Sequence, residues 1–355
     1  MHETFREAGF TMLPVKTLTQ PPADYDLASH PLPPLEIGPA QQNWEMQRQA
    51  LRQLWLDYLG EGPELVPLEP RTVFSEDLGT VTRTLVSYQV EPGCRVYAYV
   101  LRPQGEGPFP AVLVYHPTTS DTILQPAGLA TQPEKHFGLR LAERGYVALC
   151  PRNYLWEYRG KPGPEPTFAD FTSLAEQTLL GRYPNWTGMG KMVWDGLRAV
   201  DYLLTLPEVD ASRLGCVGHS LGAKEVLYSM ALDERLAAGV SSEGGIGLPF
   251  TNWTAPWYLG KGIEQRPDLE HHQLLALAAP RALLVLGGGL LPQAADARPG
   301  AADPVQDWSY MEAARPAYRL CGKPENLGLL LHNQGHAVPP EAKQTLYEWF
   351  DNYLR

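Results

Sequence analysis

An α/β architecture with a mostly parallel sheet follows from three features of this sequence. From Pro110 onward, short apolar runs of strand length alternate with longer segments of helical period. Repeats of that kind build a parallel sheet with helices on both faces. One strand-to-helix junction carries Gly218-His219-Ser220-Leu221-Gly222, a turn with no room for side chains at its glycines. The chain has 355 residues, 44% of them hydrophobic, which is enough for one large core.

Residues 1–42 are proline-rich and aperiodic and read as an arm laid on the body. Asn43 to Leu59 is a helix, because Trp44, Leu51, Leu54, Trp55, Tyr58 and Leu59 share one face and Gly60 stops it. This divides the chain into an arm and helix, 1–60, and a main domain, 61–355. Val81 to Val90 and Arg95 to Leu101 alternate apolar with polar around Glu91-Pro-Gly-Cys94, as an antiparallel hairpin does. Strands follow at Ala111 to Tyr115, Tyr146 to Cys150, Leu214 to Val217, Leu236 to Ser241, Arg281 to Leu286 and Leu327 to Leu331. Helices lie between them at Lys135 to Arg144, Met189 to Leu206, Ala223 to Leu232, a segment ending in Leu274 to Ala278, and Tyr310 to Leu320. Pro339 to Leu354 closes the chain as a helix.

Two long irregular stretches interrupt the alternation, near 152–184 and 248–270. The second contains Phe250, Trp253, Trp257 and Tyr258. Connections that leave the C-terminal strand ends of a parallel sheet build its ligand crevice. Trp253 and Trp257 are therefore candidates for substrate-facing walls or a lid, the alternative for each being a seal over the core.

Bulk charge narrows the partners. The formal net charge is −11, which disfavours nucleic acid and anionic membrane surfaces. The four cysteines, Cys94, Cys150, Cys216 and Cys321, lack metal-type spacing, and no histidine pair has metal-ligand spacing with a carboxylate close by. The first residues include Glu3 and Glu7 and lack an apolar segment of signal-peptide type, so a cytoplasmic location is expected. No run is long enough to span a membrane.

The chemistry centres on Ser220. A strand, G-x-S-x-G and a helix in succession present a serine hydroxyl on a strained corner, and the Leu221 N–H at the helix start favours a developing oxyanion. The plainer reading is a glycine-rich turn with a capping serine. A serine nucleophile needs a base within hydrogen-bond reach. The last strand runs into His332-Asn-Gln-Gly-His336. His336, behind the flexible Gly335, is the favoured base; His332, nearer the strand end, reads as packed. The acid is less direct. The turn after Arg281 to Leu286 is Gly287-Gly-Gly-Leu-Leu-Pro292 and offers no carboxylate. Glu243, at the end of the preceding strand, is the favoured acid, and Asp303 is the alternative. A second oxyanion donor belongs on Tyr115-His116-Pro117-Thr118, and since Pro117 has no N–H it falls to Thr118.

With these residues in place the chain resembles an α/β hydrolase, in the branch of dienelactone-hydrolase-like proteins, bacterial acetyl xylan esterases and glucuronoyl esterases. The marks run from about residue 80 to the end: Trp194-Asp-Gly-Leu-Arg-Ala-Val-Asp-Tyr-Leu203, Pro207-Glu-Val-Asp-Ala-Ser-Arg-Leu-Gly215, the elbow, Leu274-Leu-Ala-Leu-Ala-Ala-Pro-Arg281 and Gly335-His336. The resemblance implies an eight-stranded type of sheet and ester hydrolysis through an acyl-enzyme. It also implies a small-molecule or saccharide ester substrate and no cofactor. In glucuronoyl esterases a glutamate at the same distance beyond the serine is the acid, which matches Glu243. A lysine four residues after the serine contacts the sugar there, which matches Lys224. Those enzymes carry arginine directly after the serine, where this chain has Leu221. The alternatives are a peptidase, thioesterase or lactone hydrolase with the same triad, and a silent hydrolase fold used for binding.

Overall fold

The computed structural model describes residues 31–35, 37, 41–158, 167–288, 304–332 and 334–355. Among them are nine strands: β1 (Arg71–Asp77), β2 (Val81–Glu91), β3 (Cys94–Pro103), β4 (Phe109–Tyr115), β5 (Val147–Pro151), β6 (Val209–His219), β7 (Leu236–Ser242), β8 (Ala282–Gly287) and β9 (Leu327–Leu331). They form one sheet in the order β1-β2-β3-β5-β4-β6-β7-β8-β9. β1 to β3 pair antiparallel, β3 meets β5 antiparallel, and every pairing from β5 to β9 is parallel.

The helices are α1 (Gln41–Leu59), α2 (Phe137–Glu143), α3 (Phe168–Arg182), α4 (Gly188–Leu203), α5 (Leu221–Leu232), α6 (His272–Ala278), α7 (Pro304–Leu320) and α8 (Pro340–Leu354). Strand alternation assigns them to faces. Leu113, Cys216, Leu283 and Val285 point to the core shared with α1 and α4 to α7. Val112, Val217, Leu284 and Leu286 point to the core shared with α2 and α8. The fold is an α/β-hydrolase fold, with one antiparallel strand beyond the eight-stranded type expected.

That extra strand, β1, carried no sequence signal. Six of its seven residues are exposed, so no apolar alternation marks it. Helix α3 was also hidden, inside the stretch read as irregular. It starts at a reciprocal cap: the Asp170 N–H donates to Thr167 Oγ1, and the Thr167 N–H donates to the Asp170 carboxylate. It buries Phe171, Ala175 and Leu179.

Most of the expected arm, residues 1–30, lies outside the described residues. Its described part touches the body: His272 Nε2–H donates to the Pro33 carbonyl at 2.9 Å, and Leu32, Leu35 and Ile37 pack on the larger core. Trp55 of α1 is fully buried and donates its indole N–H to Gln273 Oε1 at 3.0 Å. Among the described residues no helix is long and apolar enough to cross a membrane.

The junction of β6 and α5 explains its glycines. A β-carbon at Gly218 would lie 2.3 Å from the carbonyl carbon and oxygen of Gly222, and one at Gly222 would lie 2.5 Å from the Tyr115 carbonyl oxygen. Both obstacles are backbone and cannot rotate away. Gly218→Ala is expected to lower unfolding stability by about 3 kcal/mol, from overpacking against fixed backbone. Urea unfolding followed by circular dichroism checks this.

Candidate active site

Parallel register brings four strand ends into one row. His219 pairs with Ser242, Ser242 with Leu286, and Gly287 with Leu331. The next row along is Ser220, Glu243, Gly287 and Leu331, with Gly288 and His332 one residue beyond it. Backbone bonds continue the ladder past the strands: Ser220 N–H to Ser242 O at 2.8 Å, Glu243 N–H to Leu286 O at 2.9 Å, and His332 N–H to Gly287 O at 2.9 Å.

Ser220 sits at φ 59° and ψ −115°, in the left-handed half of backbone space. Such a conformation costs about 1–3 kcal/mol for a residue with a side chain and persists only where the surroundings enforce it. Its hydroxyl does not cap α5, which sets aside the capping-serine reading. Glu243 also has a positive φ, 59°. Two of the four described non-glycine residues with positive φ therefore lie at adjacent strand ends.

Glu243 is 2% exposed, and its Oε1 accepts Nε2–H of His332 at 2.8 Å. The Gly288 N–H also reaches the carboxylate. Burial raises the Glu243 pKa, and His332 and Gly288 oppose that rise. The carboxylate crosses the end of β8 because Gly288 leaves the way open. A β-carbon there would stand 2.8 Å from Glu243 Oε2 and 1.6 Å from the Gly335 carbonyl oxygen. The acid-free glycine turn is thus the passage for an acid on the neighbouring strand.

The expected Glu243–His336 contact needs correcting: the histidine on Glu243 is His332. The physical reason is its place in the chain, since His332 is the first residue past β9 and His336 comes four residues later on the loop. Both of its nitrogens are engaged, Nε2–H with Glu243 and Nδ1 accepting the Gln334 N–H at 3.2 Å. His336 lies farther out. Its ring centroid is 4.6 Å from that of His219, the residue preceding Ser220. Although His336 is exposed as a whole, desolvation of its imidazole and the Lys135 and Lys224 charges lower its pKa to about 4. Asp303, the alternative acid, lies outside the described residues. Asp307 is buried and accepts the Ile246 N–H at 3.0 Å.

The two oxyanion candidates flank the elbow. Leu221 opens α5, where the first N–H groups lack helical partners. Thr118 is exposed on the loop after β4, beside the buried His116 and Pro117. Among the described residues no acceptor takes its N–H.

Lys224, one turn into α5, is 5% exposed. Its Nζ donates to Thr251 Oγ1 at 2.6 Å and stands 3.6 Å from the Trp253 ring centroid. Burial drives its pKa well below the ordinary 10.5, with Asp307 opposing. Trp253 is 0% exposed, so its expected role as a wall facing substrate is not met; it underlies the Lys224 amino group instead. Trp257 is half-buried and meets Phe168 of α3 edge-on at 5.4 Å. Among the described residues no group of three His, Cys, Asp or Glu could hold a metal ion. His116, Asn153 and Glu225, three buried polar residues joined by hydrogen bonds, carried no motif in the sequence and were not anticipated.

The Dienelactone hydrolase family model matches residues 96–256. Those 161 of the 355 residues are similar to that family. They include Thr118, Ser220, Lys224 and Glu243, and stop before the two histidines of the last loop. The curated protein "4-O-methyl-glucuronoyl methylesterase 1" of Wolfiporia cocos is 24% identical over 206 residues, which is 50% of this chain and 48% of that protein. The chain spans about half the length of the curated relatives it matches, 48–58%. A glucuronoyl esterase from Solibacter usitatus superposes with a TM-score of 0.67 at 16% identity, covering 93% of this chain and 98% of its own. A CE15 glucuronoyl esterase from Teredinibacter turnerae T7901 gives 0.65 at 21%, covering 90% and 89%. At these identities the structural likeness establishes the fold.

Gly288→Ala is expected to lower unfolding stability, since its methyl meets the Gly335 backbone, and to lower p-nitrophenyl acetate turnover at least about tenfold, because it displaces the Glu243 carboxylate and the loop carrying His336. Paired melting curves and p-nitrophenyl acetate turnover check this.

Proposed function

We propose that the chain is a serine carboxylic-ester hydrolase that works through an acyl-enzyme on small or saccharide esters. The observation that carries the reading is Ser220, held at positive φ with its hydroxyl off the helix, at the strand end next to that of Glu243, which holds His332. In this reading the Ser220 oxygen attacks the ester carbonyl while His336 takes its proton. Leu221 and Thr118 N–H groups hold the oxyanion. The tetrahedral adduct collapses, the alcohol leaves with the proton from His336, and water then cleaves the acyl–Ser220 bond by the same route.

His336 is favoured as the base over His332 because both His332 nitrogens are occupied. Glu243 then acts by anchoring His332, and with it the loop that presents His336. Lys224, its amino group held over Trp253 beside the elbow, fits a substrate with oxygen-rich groups near the ester. The esterases named among the relatives support a saccharide ester. A thioester, lactone or peptide bond is the second reading, and a substrate panel separates them.

Ser220→Ala and His336→Ala are each expected to lower kcat for p-nitrophenyl acetate by about 10³-fold or more, and His332→Ala by a smaller factor. The base must be neutral to accept a proton, and the His336 pKa lies near 4. The acid limb of kcat/KM is therefore expected below the ordinary histidine value of 6.5, with activity kept at pH 5 to 6 and lost as pH falls further. Equal losses in both histidine variants, or an acid limb above 6.5, contradict the assignment.

A further inference from the structure

The loop after β4 is tied to the nucleophile helix by a chain of buried polar groups. His116, 1% exposed, has its Nδ1 2.8 Å from the carbonyl oxygen of Pro117. Its Nε2 accepts the Asn153 N–H at 3.1 Å. An acceptor at Nε2 puts the proton on Nδ1, so the imidazole is neutral and donates Nδ1–H to Pro117. Burial agrees, lowering the His116 pKa to about 4. The Asn153 side chain accepts the Leu155 N–H at 3.0 Å and donates to Glu225 Oε1 of α5 at 3.1 Å. The Trp156 ring packs edge-to-face on His116, centroids 4.8 Å apart, and Phe171 of α3 packs on Trp156 at 5.6 Å.

The Pro117–Thr118 peptide is trans, as the cis bonds among the described residues are Gly107–Pro108 and Ala279–Pro280. In a trans peptide the C=O and the following N–H point in opposite directions. A donor that draws the Pro117 carbonyl inward therefore turns the Thr118 N–H outward. Thr118 is exposed where His116 and Pro117 are buried. The end of β4 abuts the elbow, since Tyr115 pairs with Gly218.

We infer that His116 is a positioning residue: it locks the Pro117–Thr118 peptide plane so that the Thr118 N–H faces the acyl oxygen, and Asn153 and Glu225 fix His116 relative to Ser220. The inference rests on the esterase reading and adds to it how the second oxyanion donor is preorganised. An N–H that is free to swing stabilises the oxyanion less, because reorientation must then be supplied during the reaction.

The test uses His116→Ala, His116→Phe and Ser220→Ala in the full chain. Phenylalanine keeps a ring against Trp156 and lacks both nitrogens, so it separates packing from hydrogen bonding. Both His116 variants are expected to lose about 10- to 100-fold in kcat with KM within about twofold, the pattern of an interaction made in the transition state. Free imidazole is expected to restore part of kcat to His116→Ala and none to His116→Phe, whose ring fills the space. A folded His116→Phe with unchanged kcat overturns the inference, as does a kcat loss that disappears when rates are expressed per titrated active site. If Ser220→Ala stays active, the esterase reading itself falls. If Ser220→Ala is inactive while His116→Phe is normal, only the role of His116 falls.

Discussion

Ser220 can exist as it does only because backbone closes in on both sides of it. The carbonyl of Gly222 and that of Tyr115 leave no space for a methyl group at either elbow glycine. The Ser220 N–H is pinned to Ser242 O at 2.8 Å. Together these hold the serine in a conformation that an isolated chain would leave. The strain is offset by the interlocking of β4, β6, β7 and α5, so the hydroxyl is presented by the packing of the whole domain. That is why the site sits on rigid elements.

The second organising feature is the row of strand ends. A carboxylate after β8 would stand one strand closer to the histidine loop. Here β8 ends in glycine, and the acid comes from β7 across the gap that glycine leaves. The two arrangements serve the same end, since the carboxylate needs only to reach the loop after β9. Gly288 and Glu243 are therefore one device: a side chain at 288 would exclude the glutamate, and without the glutamate the glycine turn would have nothing to admit.

Much of this was legible in the sequence because it is local. The elbow declares itself by glycine spacing between an apolar strand and a helix, and Glu243 by its place at a strand end beside a turn with no acid. β9 has the bounds expected, Leu327 to Leu331. What escaped depends on distant partners. Which histidine meets Glu243 is set by where β9 ends against β8, and spacing within His332-Asn-Gln-Gly-His336 does not encode it. Trp253 had the composition of a pocket wall, yet its role is to sit beneath Lys224, a contact set by how the 248–270 stretch folds back on α5. His116 looked like a strand terminus because its partners, the Asn153 N–H and Glu225 by way of the Asn153 side chain, come from other segments. β1 and α3 were hidden for opposite reasons, one lacking an apolar face and the other lying inside a stretch dominated by aromatic, glycine and proline residues.

Everything in this account depends on a nucleophilic Ser220 served by the loop after β9. Intact-mass analysis after treatment with a fluorophosphonate probe tests that most directly. The account predicts a single adduct, mapped by peptide sequencing to Ser220, formed rapidly by the parent protein and by His332→Ala more readily than by His336→Ala. An unmodified folded protein, or an adduct on any other residue, would contradict it.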